Sequence, residues 1–227
     1  MKKGFTLVEM LVVIGIIVVL MAAAMAAYSK MTATADRTNG QETVSNAATA
    51  LNVYFQEHGS WPKALTGAKI APDGGRLLDE KAGLVFAKNK LVSVSYKVDK
   101  DTKKPSALTG LDRFGIVSPW ATRTLKRLGA TGGSAGSIKV TTGGTVEDHI
   151  LRFALDEDGD GVTEAKVGGV TVRIRTNAAV WCAGRDGVMS PYPYADGSSG
   201  EQGANTGKKQ KKGGDDCYSW SALQLER

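Results

Sequence analysis

The sequence predicts an α+β protein, with a long N-terminal α-helix whose first half spans a membrane, packed on a small antiparallel β-sheet domain. Three observations predict it. Residues 10–27 carry no charge and are dominated by Leu, Val, Ile, Met and Ala. Residues 29–58 contain no proline, and Ala47, Ala48, Leu51, Tyr54 and Phe55 recur there at helical spacing. Beyond them lie short alternating segments separated by loops that bear Gly and Pro.

The apolar run comes first. A bilayer core needs about 20 mostly apolar residues in a helix, and residues 5–28 meet that need with one exception, Glu9. A carboxylate at membrane depth costs on the order of 2.5–3.5 kcal/mol on insertion scales. Lys2 and Lys3 resemble the basic start of a secretory signal peptide. The apolar run is longer than the roughly 7–15 residues such a signal uses, and a cleavable signal has no use for a charge inside it. A plain membrane anchor explains the length but not Glu9.

Lys2-Lys3-Gly4-Phe5-Thr6-Leu7-Val8-Glu9-Met10-Leu11 resembles the processing and methylation motif of type IV pilins and of type II secretion pseudopilins. The resemblance implies that a prepilin peptidase cuts after Gly4 and that the new amino group on Phe5 is N-methylated. It implies a type IV pilin-like fold and a homo-oligomeric helical filament with the apolar helices at its centre. It also gives Glu9 a physical reason. Each copy brings a positive Phe5 terminus into an apolar region, and pairing with a neighbour's Glu9 offsets most of that cost.

The domain plan follows. Residues 1–4 form the leader, 5–28 the transmembrane and filament-core helix, 29–58 its amphipathic continuation and 59–227 a periplasmic globular β domain with a C-terminal loop. One helix is expected from about residue 5 to about residue 57, with slack at Thr38-Asn39-Gly40. Gly59 suits its C-terminal cap and Pro62 forbids continuation. Tyr54-Phe55 followed by Gly59-Ser60-Trp61-Pro62 resembles the helix exit of pseudopilins.

After that exit, residues 63–83 read as a loop with a helical turn at 76–81. Residues 91–98 alternate and read as a strand, and 99–109, polar with Pro105, as a turn or loop. Asp112-Arg113-Phe114-Gly115 and Ser118-Pro119-Trp120 resemble the Asp-Pro-Trp-Gly region of the major pseudopilin, although Ala121-Thr122-Arg123 replaces its Gly-x-Pro. Residues 129–144 are rich in Gly, Ser and Thr and read as flexible. Strands are expected at 150–155, 170–175 and 178–181, and a loop at 191–214.

Composition sets bounds. The chain has 227 residues, 42% hydrophobic and 23% charged, near globular averages. Much of the net charge of +6 comes from Lys208, Lys209, Lys211 and Lys212. Such a run reads as a solvated face rather than a nucleic-acid site, so no nucleic-acid partner is expected. No HExxH, CxxC or Walker A pattern occurs. Gly132-Gly133-Ser134-Ala135-Gly136 matches G-x-S-x-G in form but lacks a preceding hydrophobic strand. No enzyme is expected, and His58 reads as a residue at a helix end.

Two sets of carboxylates and one pair of cysteines remain. Asp156, Asp158 and Asp160 with Gly161 give the first half of an EF-hand-type calcium loop. Its twelfth position is Val167 rather than Glu, and Glu164 at the ninth is the available substitute. The alternative is a tight acidic turn between two strands. Residues 181–187 with 213–220 are similar to the end of the major pseudopilin, which binds calcium there. Carried over, Asp186 with Asp215 or Asp216 would be ligands. Lys2 and Lys3 place the C-terminal part outside the cytoplasm, where an oxidising compartment permits a disulfide between Cys182 and Cys217. Two buried free thiols are the other reading.

These features imply a structural subunit of a type II secretion pseudopilus, with minor pseudopilins and an inner-membrane assembly platform as further partners. The alternative is a type IV pilus subunit. A different class of alternative is a membrane-anchored periplasmic binding module that keeps only the pilin-like start.

Overall fold

The computed structural model describes residues 7–88, 96–98, 105–108, 114–128, 133–190 and 216–226. The chain divides into two compact units, Met1–Thr38 and Asn39–Arg227. Helix α1 (Leu7–His58) runs through 52 residues and is continuous at Thr38-Asn39-Gly40, where the sequence suggests slack.

In the first unit α1 is the sole described element. Its Leu7–Met25 stretch is long and apolar enough to cross a membrane, and none of it is buried. Leu7, Val8, Leu11, Ile14, Val18 and Met21 are all exposed. A helix apolar on every side, with its side chains turned outward, matches a lipid or protein surround rather than water.

In the second unit α1 is amphipathic. Gly40, Val44, Ala47, Ala48 and Leu51 are buried along one face, at the i, i+3, i+4, i+7 spacing of a helix that packs on a core. Tyr54 and Phe55, expected on that face, are half-buried, while Gln41, Glu42, Asn46 and Gln56 are exposed. The helix stops at Gly59, whose φ is +65° and whose N–H donates to Phe55 O at 2.7 Å. A left-handed residue there closes the last turn without the strain a side chain would bring.

A short helix α2 (Lys63–Thr66) and a two-residue strand β1 (Arg76–Leu77) follow. Helix α3 then spans Glu80–Lys88. The helical turn expected at 76–81 is therefore corrected: its first two residues pair with a strand, and the helix starts later. Strand β2 (Tyr96–Val98) pairs antiparallel with β3 (Pro105–Leu108), so the 99–109 loop expectation fails at its end. Pro105 opens β3, the position where a strand tolerates a missing N–H. Residues 91–95 of the expected strand lie outside the described residues, as do Asp112-Arg113 and the 191–214 loop.

Residues 119–128, to which the Ser118-Pro119-Trp120 resemblance assigned no element, form helix α4 (Pro119–Leu128). Proline at the first helical position supplies the right φ and loses no needed donor. Trp120, Ala121, Thr124 and Leu125 form its buried face. The described part of the Gly-rich stretch holds a 3-10 turn (Ala135–Ser137) and a bridge between Lys139 and Thr145. A second 3-10 turn covers Glu147–His149.

Strands β4 (Arg152–Leu155), β7 (Ala178–Cys182) and β8 (Cys217–Tyr218) join β1 in an antiparallel sheet of order β1-β4-β7-β8. Strands β5 (Thr163–Val167) and β6 (Val170–Ile174) form a separate hairpin turned by Gly168 and Gly169, both at positive φ as a two-residue hairpin turn demands. All five residues of β7 are buried because both faces of the sheet are covered. Ala178, Val180 and Cys182 point into a core that includes Val44, Leu51, Trp120 and Phe153. Ala179 and Trp181 point the other way, into a core with Ala165, Val172, Ile174 and Trp220. This is the period-two alternation of a strand between two layers.

Candidate functional site

Three places carry the residues singled out from sequence. The first is the start of α1. Gly4 and Phe5 lie outside the described residues. Glu9 lies in the first turn of α1 as described, an exposed residue among the outward-facing apolar side chains. Negative charge near a helix N-terminus is favourable, so Glu9 suits its position in the helix as well as a role between copies.

The second is the acidic turn between β4 and β5. Asp156, Asp158 and Asp160 bring one carboxylate oxygen each to within 4.8 Å of one another. Asp156 is buried, and its carboxylate accepts the Gly159 N–H at 2.7 Å and the Gly161 N–H at 2.8 Å. Gly159 and Gly161 both have positive φ, which turns their N–H groups inward onto Asp156. Asp160 accepts the Val162 N–H at 2.7 Å. The Asp156 carbonyl receives the Trp61 indole N–H at 2.6 Å, so the loop leans on the segment that leaves α1. Asp158 and Asp160 remain exposed. Glu164 is not among the clustered carboxylates. It points to solvent from β5, 3.4 Å from the guanidinium of Arg173 on β6.

The third is the junction of β7 and β8. Cys182 and Cys217 stand opposite each other in register, both buried and both in the thiol form, with no disulfide bond between them. Their mutual hydrogen bond, with burial second, pushes the Cys182 thiol well above its ordinary value. Beside them Asp216 accepts the Gly184 N–H at 2.7 Å, the Ser190 N–H at 3.0 Å and the Tyr218 hydroxyl at 3.4 Å. This carboxylate ties residues 184–190 to β8. Asp186 accepts the Val188 N–H at 3.0 Å, and Asp215 lies outside the described residues. Among the described residues, neither Asp186 nor Asp216 belongs to a cluster of three or more possible metal ligands. The sequence resemblance did not reveal this clamp, because backbone N–H partners leave no mark on side-chain identity.

Two further buried polar groups were invisible in sequence. Arg152, 3% exposed, makes a two-pronged pair with Asp73 at 2.9 Å and donates to the carbonyls of Asp148 and Ile150. His149 is fully buried. Its Nδ1 lies 3.0 Å from the Ser118 hydroxyl and its Nε2 3.0 Å from the Gly143 carbonyl. A carbonyl only accepts, so Nε2 carries the proton and Nδ1 accepts from Ser118.

The family model for the prokaryotic N-terminal methylation motif matches residues 1–25. A type IV major pilin protein PilE1 of Neisseria gonorrhoeae is 32% identical over 95 residues, 42% of this chain and 58% of that protein. Another protein of that name from the same organism is 28% identical over 146 residues, 63% of this chain and 81% of its own length. A fimbrial protein of Neisseria meningitidis serogroup A is 37% identical over 71 residues, 31% of this chain and 42% of that protein. The chain thus spans less than two thirds of the first and third of these relatives. No solved structure matches it.

Proposed function

We propose that this chain, a type IV pilin-like protein carrying a prepilin methylation motif, is a structural, non-catalytic subunit of a type IV pilus. The observation that carries the proposal is the Leu7–Met25 stretch: apolar, exposed on all sides and interrupted only by Glu9. Such a stretch needs a lipid or protein surround, and a stack of identical helices supplies one. The match to type IV pilins favours the pilus over the type II secretion pseudopilus, which the resemblances at the helix exit and the C-terminal region had put in front.

In this reading the leader is removed after Gly4 by a prepilin peptidase. The chain first sits in the inner membrane with its β domain on the periplasmic side. It then leaves the bilayer as Phe5 of one copy meets Glu9 of the next. The acidic turn at Asp156, Asp158 and Asp160 is read as a site for a hard cation such as calcium, since clustered carboxylates supply the oxygens that cation prefers. Cys182 and Cys217 are read as a disulfide in the oxidising compartment.

Mass spectrometry of the mature N-terminus together with a sheared surface fraction tests the assignment. The pilus reading expects chains that begin at N-methylated Phe5 and surface filaments built of them. Loss of protein secretion on deletion, with no surface filament in the parent strain, would return the pseudopilus reading. An uncut leader on a protein that never leaves the membrane would return the anchored binding module.

A further inference from the structure

We propose that His149 is an acid-sensitive latch, which in its neutral form holds the turn at residues 140–145 and the loop at residues 184–188 against the start of α4. Three segments meet on one imidazole. Ser118, immediately before α4, donates its hydroxyl proton to Nδ1, and its backbone N–H donates to His149 O at 2.8 Å. Gly143 accepts from Nε2. Gly187 packs so closely that a Cβ there would stand 3.1 Å from Nε2. The two loops also touch each other, since a Cβ on Gly143 would meet the Asp186 backbone at 2.8 Å. Both turns depend on glycines at positive φ, Gly143 at +150° and Gly187 at +74°.

Neutral imidazole fits this place because each ring nitrogen has one partner of the right kind. Imidazolium does not fit as well. A second N–H appears on Nδ1, the Ser118 hydroxyl must turn from donor to acceptor, and a full charge enters a buried position. The charged groups around the ring are Asp148, Arg152 and Asp186. The two carboxylates favour the cation and the guanidinium opposes it. Burial outweighs them and holds the imidazole below its ordinary value of 6.5.

The sign of the pH effect follows. With the proton affinity lowered in the closed state, the opened or unfolded state takes up the proton first as pH falls below 6.5. The latch is therefore at full strength above 6.5. It weakens by up to about tenfold per pH unit below that, until the depressed value of the closed state is reached. Residues 184–188 follow β7, and Asp216 ties their two ends, at Gly184 and Ser190, to β8, so acid loosens the contact between the 140–145 turn and this edge of the β domain.

Hydrogen exchange on the full chain in detergent, at about pH 7 and about pH 5 and corrected for intrinsic rates, tests the latch. Residues 140–145 and 184–188 should lose protection in acid while β7 keeps its own. In His149→Gln, which retains a side-chain N–H but does not titrate, the two loops should respond no differently from β7. Equal loop protection at both pH values in the wild type, or the same acid loss in the variant, would overturn the proposal. Should the variant fail to fold, the wild-type imidazole resonance decides. A midpoint below 6.5 with matching shifts at the Gly143 and Gly187 amides supports the latch. A ring that stays neutral, or that titrates without moving those amides, ends it.

Discussion

A Cβ on Gly40 would stand 3.0 Å from the Cys217 sulfur and 3.4 Å from Cη2 of Trp120. A glycine inside a long helix normally costs about 1 kcal/mol relative to alanine. Here its missing side chain is the space into which β8 and α4 pack. The next residue, Gln41, donates its amide N–H to Tyr218 O at 2.6 Å, so α1 grips β8 at two consecutive positions. Gly40→Ala should therefore lower stability by about 1 kcal/mol. Overpacking of about 1–3 kcal/mol exceeds the propensity gained. Urea unfolding under reducing conditions measures it. In a Cys217→Ala background the same change should turn neutral or stabilising.

Cys182 and Cys217 face each other across β7 and β8, which is the placement a disulfide needs. Protein recovered from an oxidising compartment should carry the bond in non-reducing peptide maps. Reduction should cost about 3–4 kcal/mol of stability in the chain-entropy model. The reduced, folded chain should alkylate slowly at Cys182. Its thiol is buried and its thiolate disfavoured, and the thiolate is the reactive form.

The acidic turn separates two roles. Asp158→Ala and Asp160→Ala remove exposed carboxylates. They should abolish any calcium-induced rise in melting temperature while changing calcium-free stability by less than about 1 kcal/mol. Asp156→Ala should cost about 1–3 kcal/mol with or without calcium, because the N–H groups of Gly159 and Gly161 lose their acceptor. Differential scanning calorimetry with calcium and with chelator reads both effects. A wild type whose melting temperature ignores calcium would remove the cation reading.

Much of this architecture was legible in sequence because it rests on local signals. The helix end at Gly59 and Pro62 and the strands β4, β6 and β7 follow from spacing and turn chemistry. The Val167-Gly168-Gly169-Val170 hairpin was not assigned from sequence, although a Gly-Gly step between β-branched residues is a strong turn signal. The strand β5 that it implies went unassigned although exposed Glu164 and Lys166 alternate with buried Thr163, Ala165 and Val167, because Thr and Ala on the inward face give little hydrophobic signal. Helix α4 was hidden by a motif resemblance, although Pro119 with buried Trp120, Ala121, Thr124 and Leu125 is a consistent helical face. The contacts of His149, Arg152 and Asp216 depend on segments far apart in the chain meeting at one place. No periodicity encodes that, so the C-terminal carboxylates read from sequence as a ligand set. In the described residues, Asp216 instead holds backbone N–H groups.

The central claim is that Glu9 exists for a neighbouring copy. A buried positive terminus is costly alone and tolerable when paired, so removal of the carboxylate should break assembly and spare everything before it. The direct measurement compares wild type with Glu9→Ala for membrane insertion, cleavage after Gly4 and recovery in the sheared filament fraction. The account predicts normal insertion and cleavage with no filaments. Wild-type amounts of filament from Glu9→Ala would contradict it.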